Sequence, residues 1–327
     1  MKTPTSWDQE LAEFERPNVP GLALMVTGET LRVHACGLAN LATGAPCQLS
    51  TNFRLASLTK SFTAMAIMML MESGLVSLND TLPHFFAHFP NRGNEITVRQ
   101  LLTHTSGLLD YEDLIPPATT APLRDRDVLE ILRHQDKIKF SPGTRFSYNN
   151  GGYALLALIV EAVSRQSFAE FLRAKIFLPL GMNDSLAYEA GRSEISHRAL
   201  GYSQKGGAFE ETDQSLTSSV LGDGGIYSSI LNLHKWDEAL YEEKLVSRAM
   251  LDQAFTAHSA TSDMPGSGYG FGWYVEERGG AKHIWHYGST CGFSSSFHRF
   301  PERKCSVILL ANRSNAGLEA LARKMAS

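Results

Sequence analysis

From Leu58 to Met71 the chain is apolar or small on every side of a helical projection, with no polar stripe, so a helix here is enclosed by protein all round. Gly74 supplies its stop. Lys60 is the anomaly in this run. A cation one turn into an enclosed helix must be paired or lose its charge, and the positive end of the helix macrodipole lowers its pKa in the same direction. A lysine so placed is able to act as a base.

Ser57 falls at the N-terminus of that helix, where backbone N–H groups lack intrahelical partners and stabilise negatively charged oxygen. Residues three apart share a helical face, so the Ser57 hydroxyl and the Lys60 amine come within hydrogen-bond reach, the serine–lysine form of an activated nucleophile. An alternative makes Ser57 an N-cap and Lys60 a lysine reaching out to water, and a chain of this length contains on the order of one S-x-x-K by chance.

The chain has 327 residues, 43% of them hydrophobic, which is enough for one large domain or two lobes around a substantial core. A net charge of -4 without a dense basic run leaves no footprint for nucleic acid or an anionic membrane, and a small molecule or short peptide is the expected partner. No run is long enough to span a bilayer, and the first residues lack the apolar core of a secretory signal, so a cytoplasmic location is expected unless a leader has been removed. Cys36, Cys47, Cys291 and Cys305 have no metal-ligand spacing and read as free thiols. His84 and His88 are spaced i,i+4 but lack a third ligand; no metal or organic cofactor is expected.

Ser6 and Gln9 resemble a capping box, and Trp7, Leu11 and Phe14 recur at helical spacing, predicting a helix to about Arg16. Residues 21–27 and 30–38 predict a hairpin around Gly28 and Glu29. His34 and Cys36 read there as ordinary strand packing. Helices are predicted over 98–103, 125–134, 153–165, 168–176 and 230–240, with an irregular, proline-bearing segment over 110–122. Strands are predicted over 270–277, 282–287, 293–300 and 304–311, and a final helix over 317–325. Strands at both ends with helices between them predict a single domain over 1–327: a sheet lobe of approximately 1–75 and 266–327, with a helical lobe of approximately 76–265 inserted on it.

Two further segments have the composition to complete a serine–lysine site. The turn-rich run from Pro142 to Tyr153 is able to hold the Tyr148 phenol and the Asn150 amide rigidly towards a cleft, and a phenol near a buried lysine is favoured as phenolate. The alternative is an aromatic anchor with Asn150 as a helix N-cap. The run from His283 to Phe293 ends a strand in glycines. There Gly288 is expected to let substrate approach the backbone, the Ser289 N–H to supply a second oxyanion donor, and His286 to bond Tyr148 or a leaving group, or else simply to be a satisfied histidine at a strand end.

Ser57-Leu58-Thr59-Lys60, Tyr148-Asn149-Asn150 and His286-Tyr287-Gly288 stand in the order and at the separations of the three signature motifs of the serine β-lactamase and penicillin-binding-protein superfamily. The chain resembles the branch that holds class C β-lactamases, D-alanyl-D-alanine carboxypeptidases, D-aminopeptidases and β-lactamase-fold esterases. Leu101–Leu108, Ile176–Met182, Gly222–Gly225 and Tyr269–Trp273 resemble it too. The resemblance implies an α/β (α+β) fold, an antiparallel sheet flanked by helices plus a helical lobe, with the site between them. It implies Ser57 as acylated nucleophile, Lys60 and Tyr148 sharing the base role, and Asn150 orienting substrate. Ser57 and Ser289 would then supply the oxyanion N–H groups, with His286 and Gly288 at the third-motif positions.

His286 and Tyr287 stand where β-lactam-directed members carry lysine and then threonine or serine, which weakens the case for a carboxylate site. The chain lacks G-x-S-x-G, which argues against an α/β-hydrolase. The expected function is therefore a serine hydrolase acting on an ester or amide through an acyl-enzyme, an esterase or D-amino-acid amidase before a β-lactamase or D,D-carboxypeptidase. An acyltransferase and a non-catalytic sensor or scaffold are the rival readings. Asp110, Glu112 and Asp223 are able to bind a substrate ammonium, but read more simply as solvated loop acids.

Overall fold

The computed structural model describes residues 8–326. Ser6 and Trp7, which were to open the first helix, lie outside the described residues. The first element is a single helical turn, Asp8–Leu11, which stops well short of Arg16. The chain turns there because Leu11 and Phe14 both drop into a small core under the sheet, where the Arg313 guanidinium covers the Phe14 ring at 4.1 Å.

The sheet has eight antiparallel strands: β1 (Leu22–Val26), β2 (Arg32–Cys36), β3 (Ser259–Ala260), β4 (Gly268–Tyr269), β5 (Tyr274–Arg278), β6 (Ala281–Thr290), β7 (Phe293–Phe300) and β8 (Cys305–Ala311). Their spatial order is β3-β4-β5-β6-β7-β8-β1-β2. The N-terminal hairpin thus closes onto the C-terminal strands, with Leu22 opposite Ala311 and Val26 opposite Val307. Every residue of β1 is buried because both sheet faces are covered. Alternate side chains Leu22, Leu24 and Val26 meet Leu318, Leu321 and Met325 of the final helix (Leu318–Ala326). Ala23 and Met25 face the main core instead.

That main core surrounds the central helix (Thr59–Glu72), whose residues Thr59–Met68 are all buried, polar ones included. Phe62 stacks on Trp236 at 4.1 Å and meets Phe177 edge-on at 5.7 Å. Helix Asn150–Ser164 packs along the central helix, as does the short turn Leu221–Gly224. A three-stranded ribbon of Phe53–Arg54, Ile226–Ser228 and Leu186–Ala187 ties the approach to Ser57 to the chain after Asp223.

Two expected elements are interrupted. The strand expected over 270–277 is broken before Tyr274, where the Gly270 N–H bonds the Trp273 carbonyl and the chain crosses the start of the central helix. The helix expected over 168–176 ends at Leu172 and continues as one π-helical turn, Arg173–Phe177. Helix Arg248–Ala254 was not foreseen. The four cysteines are free thiols, and among the described residues no helix is long and apolar enough to cross a membrane.

Because Phe62 is enclosed by two aromatic rings, Phe62→Ala should lower unfolding free energy by about 3–5 kcal/mol in urea titration. Truncating Leu31, which is 59% exposed, should change it by less than about 0.5 kcal/mol.

Candidate active site

The approach to Ser57 is fixed by the ribbon: the Leu55 N–H bonds the Ile226 carbonyl at 2.8 Å. Ala56 then takes the left-handed region at φ +49°, a conformation that costs an L-residue roughly 1–2 kcal/mol. The chain turns sharply through a 3₁₀ segment (Ala56–Leu58) into the central helix, leaving Ser57 half-buried at its mouth.

Lys60 is fully buried, and its ammonium has three acceptors: Ser57 Oγ at 3.1 Å, Asn150 Oδ1 at 2.8 Å and the Asp223 carbonyl at 3.0 Å. Burial brings its pKa down to about 8, against the opposing pull of the Asp223 and Glu112 charges. Neutral amine is thus accessible within hydrogen-bond reach of the serine.

Asn149, not Asn150, is the N-cap of helix Asn150–Ser164, accepting from the Gly152 N–H at 2.8 Å. Its amide group is tied to the Leu108 and Leu109 carbonyls and to Asp110 Oδ1. The neighbouring Asn150 is left free to take Lys60 on its carbonyl oxygen and to donate its amide to Glu112 at 3.0 Å.

The Tyr148 hydroxyl is hydrogen-bonded to Ser57, but the expected phenolate is corrected: burial holds its pKa well above the ordinary value. The charge that was to stabilise a phenolate belongs to Lys60, which is itself drawn towards neutrality and lies over the Tyr148 ring, 4.8 Å from its centre.

Two further expectations change. Asp223 is buried rather than solvated, its carboxylate accepting from Tyr111 at 3.4 Å, and burial raises its pKa to about 6 against the pull of Lys60. Asp110 pairs with Lys139 and Asn149; Glu112 remains exposed at the mouth.

His286 does not bond Tyr148. Its Nδ1 donates to the Tyr287 carbonyl at 2.7 Å and its Nε2 accepts from the Tyr269 hydroxyl at 2.9 Å, so both nitrogens are engaged within the sheet. Burial and the nearby Lys60 lower its pKa to about 3, and the ring stands 6.2 Å from that of Tyr148. At Gly288 a Cβ would stand 2.4 Å from Ser295 Oγ, 2.5 Å from the Leu55 carbonyl and 2.9 Å from the Ser57 nitrogen, so the missing side chain lets this strand lie directly against the turn that carries Ser57. Ser289 is exposed and shares a cavity of about 70 Å³ with Arg54, Ser57, Glu112, Asn150 and Asp223.

Sequence reasoning missed the aromatic floor of the site. Tyr269 stands edge-on to Tyr274 and His286, and His104 lies 4.2 Å from the Tyr148 ring. Both belong to segments noted only for their resemblance; a histidine inside the small, polar run Thr103–Gly107 was the available signal.

A helical lobe closing on an antiparallel sheet, with serine, lysine and tyrosine meeting at the junction, defines the class. The chain belongs to the Beta-lactamase family, whose model matches residues 7–326. Penicillin-binding protein 4* of Bacillus subtilis (strain 168) is 32% identical over 307 residues, covering 88% of this chain and 66% of that protein. The first curated relatives are longer: the chain spans 61–66% of their length. The crystal structure of a penicillin binding protein from Bacillus halodurans superposes with a TM-score of 0.83 at 29% identity, covering 98% of this chain and all of that one. A D-amino acid amidase from Ochrobactrum anthropi SV3, complexed with L-phenylalanine, gives 0.80 at 25% identity over 94% and 89% of the two chains.

Since two of the three close contacts at Gly288, the Leu55 carbonyl and the Ser57 nitrogen, are backbone atoms that cannot rotate away, Gly288→Ala should destabilise the protein by roughly 1–3 kcal/mol, read by chemical denaturation.

Proposed function

We propose that the protein is a serine hydrolase that cleaves an ester or amide through an acyl-enzyme on Ser57. The observation that carries this reading is the buried Lys60 amine, 3.1 Å from the Ser57 hydroxyl and depressed in pKa. Neutral Lys60 accepts the Ser57 proton as Oγ attacks the carbonyl carbon. The Ser57 and Ser289 N–H groups receive the oxyanion. Tyr148, kept as a neutral phenol bonded to Ser57, relays the proton to the departing amine or alcohol, and the same groups activate water for deacylation. Asn150 holds the lysine and faces the substrate. His286 is assigned to the wall beneath Tyr148 rather than to proton transfer, because its two nitrogens are already occupied.

For substrate, an ester or amide of a D-amino acid is favoured over a β-lactam. His286 is neutral, so it offers no cation to an antibiotic carboxylate, whereas Glu112 and Asp223 line the cavity beside Ser57 and suit an ammonium group; Arg54, also in that cavity, is engaged by the Gly224 and Ser218 carbonyls. The likeness to a D-amino acid amidase supports the same choice. The 32% identity to a penicillin-binding protein favours a second reading, a D,D-carboxypeptidase or β-lactamase.

Ser57→Ala should abolish hydrolysis of p-nitrophenyl acetate and of D-phenylalanine amide, and a fluorophosphonate adduct should map to Ser57 by peptide mass spectrometry. Unchanged turnover in that variant refutes the acyl-enzyme; nitrocefin hydrolysis exceeding amide hydrolysis selects the second reading. Because the base is the unprotonated amine and its pKa is lowered towards about 8, kcat/KM should climb as pH rises through about 8. A pH–rate profile flat between about 6 and 9 would exclude Lys60 as the base.

A further inference from the structure

His104 holds the segment on both sides of Tyr148. Its backbone carbonyl accepts from the Ser147 N–H at 2.9 Å, and its Nδ1 accepts from the Asn149 N–H at 3.1 Å. Between these two bonds the imidazole lies under the Tyr148 ring, centroids 4.2 Å apart and planes 34° from parallel. The peptide segment that carries the phenol is therefore pinned at one residue before it, one residue after it, and across its face, all by one residue from a different part of the chain.

The placement of His104 is costly. It is 1% exposed, and its backbone occupies the left-handed region at φ +56°, which side-chain-bearing residues seldom adopt, His, Asn and Asp more often than the rest. An Nδ1 that accepts from a peptide N–H puts the ring proton on Nε2, and among the described residues Nε2 has no hydrogen-bond partner. The ring is instead enclosed by Tyr148, Tyr153, Tyr269 and Phe146. Burial and the nearby Lys60 keep it neutral, which is the form in which Nδ1 retains its lone pair. A strained, partly unsatisfied histidine persists where the surrounding structure gains from its geometry.

We propose that His104 is a positioning residue for Tyr148, setting the direction of the phenol hydroxyl towards Ser57 through the Asn149 N–H···Nδ1 bond. This rests on the role given to Tyr148 above. The same bond fixes Asn149, and with it the N-terminus from which Asn150 reaches Lys60. One imidazole therefore aligns two of the three groups around the nucleophile without touching substrate. A displacement of about 1 Å at such a group costs on the order of 10²-fold in rate.

The test pairs two replacements that both suit a left-handed backbone. His104→Gly removes ring and acceptor; His104→Asn restores an acceptor oxygen at the place of Nδ1. Each is made alone and with Tyr148→Phe, and read by kcat and KM on p-nitrophenyl acetate, by the rate of Ser57 labelling with a fluorophosphonate, and by thermal unfolding. His104→Gly should lower kcat and the labelling rate by about 10–100-fold with KM changed less than about threefold, and His104→Asn should recover most of that loss. In the Tyr148→Phe background His104→Gly should cost less than about threefold, since the group it aims is gone. The same full loss in both backgrounds, or no recovery by His104→Asn, overturns the proposal, as does unchanged labelling by a folded His104→Gly protein. If Tyr148→Phe alone leaves labelling unchanged, the role of Tyr148 falls and the positioning role falls with it; a slow Tyr148→Phe beside a fast His104→Gly removes only the latter.

Discussion

A lysine with no exposed surface, held by three uncharged oxygens, is the constraint on which the structure turns. Each acceptor comes from a different segment: Ser57 from the turn before the central helix, Asn150 from the helix packed along it, and the Asp223 carbonyl from the short turn at 221–224. Burying an ammonium without these bonds would cost several kcal/mol, so the segments must be in register before the lysine is tolerable. Nearby negative charge at Asp223 and Glu112 is not enough to offset burial, and the pKa of the amine is left at about 8, which brings its neutral form within reach. The arrangement that makes the core acceptable therefore also brings the lysine within reach of the proton-accepting form that the proposed mechanism needs.

The surroundings treat the buried histidines, tyrosines and Asp223 around Lys60 in the same way. His104 and His286 are held neutral, Tyr148 and Tyr269 are held as phenols, and Asp223 is drawn towards its protonated form, each with burial as the leading cause. Charge is expensive throughout the floor of the site. A proton shared among an amine, an alcohol and a phenol can then move without creating a stable ion that traps it. Asp125 extends this logic outward. Buried and raised to about 7, it accepts from the Leu221 and Gly222 N–H groups at 2.9 Å and anchors the turn that presents the Asp223 carbonyl to Lys60.

The enclosed helix was legible because no polar stripe interrupts 58–71, and Ser57, Lys60, Tyr148 and Asn150 were legible because their chemistry is local to short motifs. The eight-stranded order was only partly so. The hairpin at 28–29 and the C-terminal strands follow from alternation and glycine, whereas the two-residue strands at 259–260 and 268–269 have no periodicity to detect. The expected bond from His286 to Tyr148 failed because hydrogen-bond partners distant in sequence decide what a side chain is free to do. Tyr269, 17 residues from His286, takes the nitrogen that was to serve Tyr148. The solvated reading of Asp223 failed likewise, since the burial of a loop acid depends on what packs over it.

Glycine at two positions, one within the sheet and one in the break between two of its strands, explains how a sheet and a helix that must both be rigid come close enough to share one site. Gly272 passes at φ +78° over the start of the central helix, where a Cβ would stand 2.7 Å from the Lys60 carbonyl; Gly288 lies against the Leu55 carbonyl and the Ser57 nitrogen. Side chains at these two places would hold the sheet away from the turn carrying Ser57. Since Ser289 is the residue directly after Gly288, any such separation would also carry the Ser289 N–H away from the Ser57 N–H. The spacing of these two N–H groups is thus set by close approach of the two backbones, fastened by the Ser295 hydroxyl, which donates to the Leu55 carbonyl at 2.7 Å.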